Sequence, residues 1–311
     1  MTRRRVGVIS ARVGLLVAGA FLVPPPSPAA SGPPQAGATV KRAVSGTAAV
    51  NGTSLYYELK GEGRPIVLVH GGNLDCRMWD PQFDKYARAF KVLRYDVRGF
   101  GRSSDPGQPF SSVEDLKGVM QALAIGRASV VGLSLGGRIA LDFALTYPAM
   151  VEALVLAGPG LSGFQWPPES AARMAKIIDA ATSEGPDAAM ELWLQDPYMA
   201  PAMENPDLAR RIRRIAMDNT KLWSKPPTPE TIPSPPASER LASVRAPTLV
   251  IVGSRDVPEI QKIVEMLAAG IPGARRVVIA GAGHLVNMEK PAAFDAAVLN
   301  FLSNLEAFRE K

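Results

Sequence analysis

Residues 65–69 form a short, continuous apolar run, and similar, largely apolar runs recur at 91–95, 128–133, 151–157, 247–252 and 274–280. A run that is apolar at every position, rather than at alternate ones, predicts a strand buried on both faces, as in a parallel sheet. Stretches with helical patterning at 81–90, 113–124, 136–147, 258–269 and 291–306 fall between and after these runs. Alternation of strand and helix predicts an α/β fold: a mostly parallel sheet with helices on both faces. Two further strands, 48–51 and 55–59, meet at Asn51-Gly52, a favoured two-residue hairpin turn, and add an antiparallel pair at one edge.

One interval breaks the alternation. Residues 161–241 hold no apolar strand run, but carry helical candidates at 169–183, 186–194 and 206–222 before a Pro-rich stretch at 225–236. An all-helical insertion between two strands is expected to form a lid over the carboxyl ends of the strands, on a core made of 44–160 and 242–311. Trp166, Trp193 and Trp223 all lie in this insertion; Trp166 and Trp193, with Asn73 outside it, are the expected pocket residues. With 311 residues and 47% hydrophobic content, the chain can bury one large core with such an added lobe.

The amino-terminal segment follows different rules. Arg3-Arg4-Arg5, an eleven-residue apolar run at 13–23 and small residues and prolines up to Ala30 predict a secretory signal peptide over 1–30, then a flexible linker over 31–43. Eleven apolar residues are too few for a bilayer, which needs about 20, so no stable membrane span is expected and the mature chain belongs in the periplasm or outside the cell. Arg3, Arg4, Arg5 and Arg12 supply four of the six net positive charges, which leaves about +2 and excludes a nucleic-acid surface. Cys76 is the sole cysteine, so no internal disulfide forms. Two histidines far apart and no Cys cluster give no metal-ligand set, and no glycine loop carries the lysine of a phosphate cradle; no cofactor is expected.

The run at 128–133 ends in Gly132-Leu-Ser134-Leu-Gly136-Gly137, with a good helix directly after it. Gly-x-Ser-x-Gly is a weak signal as a string, but strand, tight turn and helix are the setting in which it acts as a nucleophile elbow. A serine hydroxyl needs a base to take its proton. His70 follows the first buried strand and is read as shaping the loop there; His284 follows the last and takes the place of the base in the chain order Ser, acid, His. Asp256, just beyond the run at 247–252, is the acid in that order, with Glu259 as the alternative. Asp96 precedes the serine and heads the glycine-rich run Asp96-Val-Arg-Gly-Phe-Gly-Arg-Ser103, which suits a structural loop.

Taken together, His70-Gly71-Gly72, the Asp96–Ser103 run, Gly132–Gly136, Gly253-x-x-Asp256 and Gly283-His284 resemble the α/β-hydrolase superfamily over nearly the whole chain after about residue 44. Met78-Trp-Asp-Pro81, Arg94-Tyr-Asp96 and Gly283-His-Leu-Val-Asn-Met-Glu-Lys-Pro291 are similar to its serine esterase and lactonase branch, typified by 3-oxoadipate enol-lactonases. The resemblance implies the backbone amides of Gly72 and Leu135 as oxyanion donors and a small ester or lactone as substrate. Serine at position 134 sets the chain apart from the haloalkane dehalogenase and epoxide hydrolase branches, which carry an aspartate there. A carbon–carbon bond hydrolase or a perhydrolase would use the same triad, and a hydrolase-like ligand sensor is the alternative from another class.

Overall fold

A computed structural model describes residues 42–224 and 228–305. The expected signal peptide and most of the linker, up to residue 41, lie outside the described residues, as do 225–227 and 306–311. The strands are β1 (Val44–Val50), β2 (Thr53–Lys60), β3 (Pro65–Val69), β4 (Lys91–Tyr95), β5 (Ala128–Leu133), β6 (Val151–Ala157), β7 (Thr248–Gly253) and β8 (Arg275–Ile279). They form one sheet in the order β1-β2-β4-β3-β5-β6-β7-β8. β1 and β2 are the antiparallel hairpin at the edge, β2 runs antiparallel to β4, and every other pairing is parallel.

The central strands divide their side chains between the two faces by period two. Val67, Val69, Val130, Leu154, Leu156, Val250 and Val252 enter one core, with residues of α2 (Ser112–Ala122), α3 (Leu135–Thr146) and α8 (Pro258–Gly270). Ile66, Leu68, Val131, Leu133, Val155, Leu249 and Ile251 enter the other, with α1 (Asp80–Tyr86) and α10 (Pro291–Ser303). Burying both faces removes these side chains from water, worth roughly 1.5–3 kcal/mol for each large aliphatic one. Cys76 sits fully buried at a short 3-10 turn, and burial pushes its thiol pKa far up, as suits a small hydrophobe.

The helix expected at 81–90 stops at Tyr86. Ala89 and Phe90 both donate to the Tyr86 carbonyl, a pair of turns that delivers Lys91 into β4. Between β6 and β7 run α4 (Pro168–Ser183), α5 (Pro186–Leu194), α6 (Ala200–Met203) and α7 (Pro206–Met217). Each opens with a proline in its first two positions, where the missing N–H costs nothing. Four-residue α6 and α9 (Val286–Glu289) were not expected from the sequence, since one turn carries no periodicity. Among the described residues no helix is long and apolar enough to cross a membrane.

The parallel register decides what meets at the carboxyl edge. Val69 pairs with Gly132, Leu133 with Ala157, Ala157 with Ile251, and Gly253 with Ile279. The loops after β3, β5, β6, β7 and β8 therefore leave the sheet side by side, which brings together residues up to 214 positions apart, from His70 to His284.

Candidate active site

Ser134 lies between β5 and α3 with φ 55° and ψ −114°, a left-handed conformation that costs on the order of 1–3 kcal/mol in a residue other than glycine. Its backbone is held from both sides: the N–H donates to Ala157 O at 3.0 Å, and the carbonyl accepts from the N–H groups of Arg138 and Gly160, each at 3.0 Å. The flanking glycines are required by close approach. A Cβ on Gly132 would lie 2.1 Å from Gly136 O, and one on Gly136 would lie 2.1 Å from Val69 O. Ser134 occupies the N-cap of α3, but its side chain makes no bond to the helix, so its hydroxyl is left to the cavity above.

His284 and Asp256 approach from the other two loops. His284 Nδ1 lies 3.1 Å and 3.0 Å from the two carboxylate oxygens of Asp256, and both residues are buried. Room for the pair comes from Gly158 (φ 45°), where a Cβ would stand 3.1 Å from Asp256 Oδ2 and 3.2 Å from His284 Nδ1. Burial opposes the imidazolium most strongly of any single influence, yet the Asp256 carboxylate, helped by Glu289 and Asp196, holds the His284 pKa above its ordinary value. Tyr198 packs edge-on against the imidazole, with ring centroids 4.8 Å apart. Glu259 is turned away from His284: it accepts from Ser170 Oγ and from Arg173 Nη2, both at 2.7 Å, and so ties α8 to α4.

The loop after β3 is anchored by His70. Val97 N–H donates to His70 Nε2 at 2.8 Å, which leaves the proton on Nδ1 to donate to Gly71 O at 2.8 Å. Burial lowers the His70 pKa, so the ring stays neutral in this role. Gly71 N–H is taken by Met78 Sδ. Gly72 faces the first turn of α3, where a Cβ on it would lie 3.9 Å from Leu135 Cβ. Leu135 N–H is one of those at a helix start with no partner inside the helix. Asp96 accepts from Arg102 N–H in its own loop and from Cys76 N–H in the loop after β3, and so ties the two loops together.

A cavity of about 530 Å³ opens above Ser134, within the range of small-molecule sites. Ser134, His284, Gly72, Leu135, Asn73, Trp166 and Trp193 line it; Trp223, half-buried, packs instead against the core on the α1 and α10 face of the sheet. Several lining residues escaped the sequence reading, among them Tyr198, Arg138 and Arg173. So did the role of Glu289, whose carboxylate accepts from Gly283 N–H at 2.6 Å and Leu285 N–H at 2.9 Å and so clamps the His284 loop on both sides. Burial raises the Glu289 pKa, with the two amides working against it. Glu289→Ala strands two buried N–H groups, so we expect a loss of about 2–4 kcal/mol and a melting temperature lower by on the order of 10 °C. Calorimetry showing a change of under about 2 °C would refute the clamp.

A scan of the sequence against protein families matches residues 66–297 to the alpha/beta hydrolase family. The chain belongs to that family. It is 26% identical to carboxylesterase YbfK of Bacillus subtilis over 242 residues, covering 76% of this chain and 79% of that one. It is 28% identical over 260 residues to a 2-hydroxy-6-oxo-6-phenylhexa-2,4-dienoate hydrolase of Burkholderia cepacia, covering 78% and 89%. Its fold is similar to the crystal structure of the enol-lactonase from Burkholderia xenovorans LB400, with a TM-score of 0.69 and 29% identity over 83% of this chain and 100% of that one.

Proposed function

We propose that the chain is a serine hydrolase that cleaves carboxylic ester or lactone bonds of small substrates through an acyl-enzyme intermediate. The observation that carries this reading is His284, paired with Asp256, lining the same cavity as the strained Ser134, whose side chain makes no bond to its helix. Ser134 Oγ attacks the carbonyl carbon as His284 Nε2 takes the hydroxyl proton. Asp256 holds the Nδ1–H tautomer and stabilises the imidazolium that forms. Gly72 and Leu135 N–H groups receive the oxyanion. The tetrahedral adduct expels the alcohol, which leaves with the proton from His284. Water, deprotonated by the same ring, then releases the acid. The similarity to an esterase and an enol-lactonase supports the choice of bond. Turnover of p-nitrophenyl hexanoate tests the reading, because a ligand sensor would bind the ester without hydrolysing it.

The electrostatics give a direction for pH. Only the neutral imidazole accepts the serine proton, and the His284 pKa is raised above 6.5 by Asp256 against the opposing effect of burial. Activity is therefore low in acid and rises through the raised pKa, with the midpoint of the acid limb in kcat/KM above 6.5. A pH profile whose midpoint falls at or below 6.5 would count against His284 as the base.

A further inference from the structure

Two guanidinium groups line the cavity, and both are committed. Arg173 on α4 donates to Glu259 at 2.7 Å and to Asp196 at 3.2 Å, with its guanidinium 5.9 Å from the Tyr198 ring centre. Arg138, one turn after Ser134, donates to Glu230 at 2.6 Å and lies 3.6 Å from the fully buried Asp142. The remaining cationic candidate in the lining, His284, is held by Asp256. Four carboxylates thus hold the two permanent cations, two on each arginine, so neither guanidinium offers an unmatched charge to the cavity. Apart from uncharged polar residues such as Asn73, Ser134 and Ser170, the rest of the wall is apolar, built from residues such as Leu135, Leu161, Ile177, Trp193 and Ile260. Trp166 and Met174 carry that lining outward, for both line the cavity while remaining 44% and 47% exposed.

A carboxylate entering this space would give up its hydration and meet no uncommitted cation among the described residues of the lining. To capture Arg173 or Arg138 it would have to displace a glutamate or aspartate and leave that group unpaired in a partly buried site, which costs more than the new pair returns. An alkyl or aryl chain meets the opposite situation, since it leaves water for apolar side chains. We propose that this site, given the serine-hydrolase reading above, takes uncharged esters or lactones with an apolar acyl chain and rejects those whose acyl chain carries a carboxylate. The matched arginines act as the specificity device: they fill the polar wall while offering nothing to an anion.

Two aryl esters test this directly. p-Nitrophenyl hexanoate and mono-p-nitrophenyl adipate release the same leaving group and differ at the far end of the acyl chain, methyl against carboxylate. The hexanoate is expected to exceed the adipate in kcat/KM by at least about twentyfold; a smaller ratio, or a preference for the adipate, overturns the proposal. Glu259→Gln removes one of the two carboxylates on Arg173 and keeps an acceptor for Ser170. In that variant the ratio should fall by at least about fivefold through a lower KM for the adipate, and an unmoved ratio also overturns the proposal. Should Glu259→Gln fail to fold, Asp196→Asn strips the other carboxylate from Arg173 and is read the same way. Hydrolysis of neither ester would overturn the serine-hydrolase reading, and this proposal with it.

Discussion

Ser134→Ala is expected to lower kcat for ester hydrolysis by on the order of a million-fold and to leave the fold intact. The size follows from the unit character of the site: without the nucleophile, His284 and Asp256 have no proton to move, and what remains is binding and the oxyanion donors. The intact fold follows from the turn. Ser134 is held by backbone bonds to Ala157, Arg138 and Gly160, and its side chain caps nothing in α3, so removing the hydroxyl strands no partner there. Alanine also has the same Cβ at φ 55°, which leaves the strain of the turn unchanged. The check is a pair of measurements, ester turnover and circular dichroism, with a fluorophosphonate probe expected to label the parent protein at Ser134 and the variant not at all. Turnover within tenfold of the parent would sink the assignment.

Asp256→Asn is expected to cost on the order of ten-thousand-fold in turnover, a magnitude taken from the equivalent exchange in the chymotrypsin triad. Both oxygens of Asp256 lie within 3.1 Å of His284 Nδ1, so an amide there offers the ring an N–H as readily as an oxygen and favours the wrong tautomer. The residual activity should show its acid limb at lower pH than the parent, because the charge that raises the His284 pKa is gone while the burial that lowers it stays. Glu259→Gln should cost far less for a neutral ester, since that carboxylate serves Ser170 and Arg173 instead of His284. If the two variants behaved the other way round, the acid would move to Glu259, with Ser134 and His284 unaffected.

The choice between those two acids marks where reading the sequence stops. Asp256 and Glu259 stand three residues apart beyond the same strand, and either could have faced the histidine. What separates them is the turn into α8, which directs Asp256 toward the β8 loop and Glu259 toward α4, where Arg173 lies 86 positions away in sequence. Glu289 tells a similar story. Its place in the Gly283–Pro291 motif was visible, but the clamp on two amides of its own loop depends on α9, a single turn with no periodic signature.

Local physics was legible before any tertiary structure. Burial on both faces writes largely apolar runs, so β3 to β7 stood out, whereas the run at 274–280, read the same way, forms the edge strand β8 and is mostly exposed. The left-handed turn at Ser134 writes glycines around a serine because no Cβ fits where Gly132 and Gly136 touch their neighbours. His70 and His284 could be told apart because each sits at the end of a different strand and the chain order assigns different work to those ends. The shape and charge of the cavity belong to the tertiary structure alone. Whether Arg138 and Arg173 are free or spent depends on Glu230, Asp142, Asp196 and Glu259, which reach them from other parts of the chain once the parallel register and the helical insertion have brought their loops together. A periodic pattern records which face of an element is buried; it does not record which distant charge arrives to meet it.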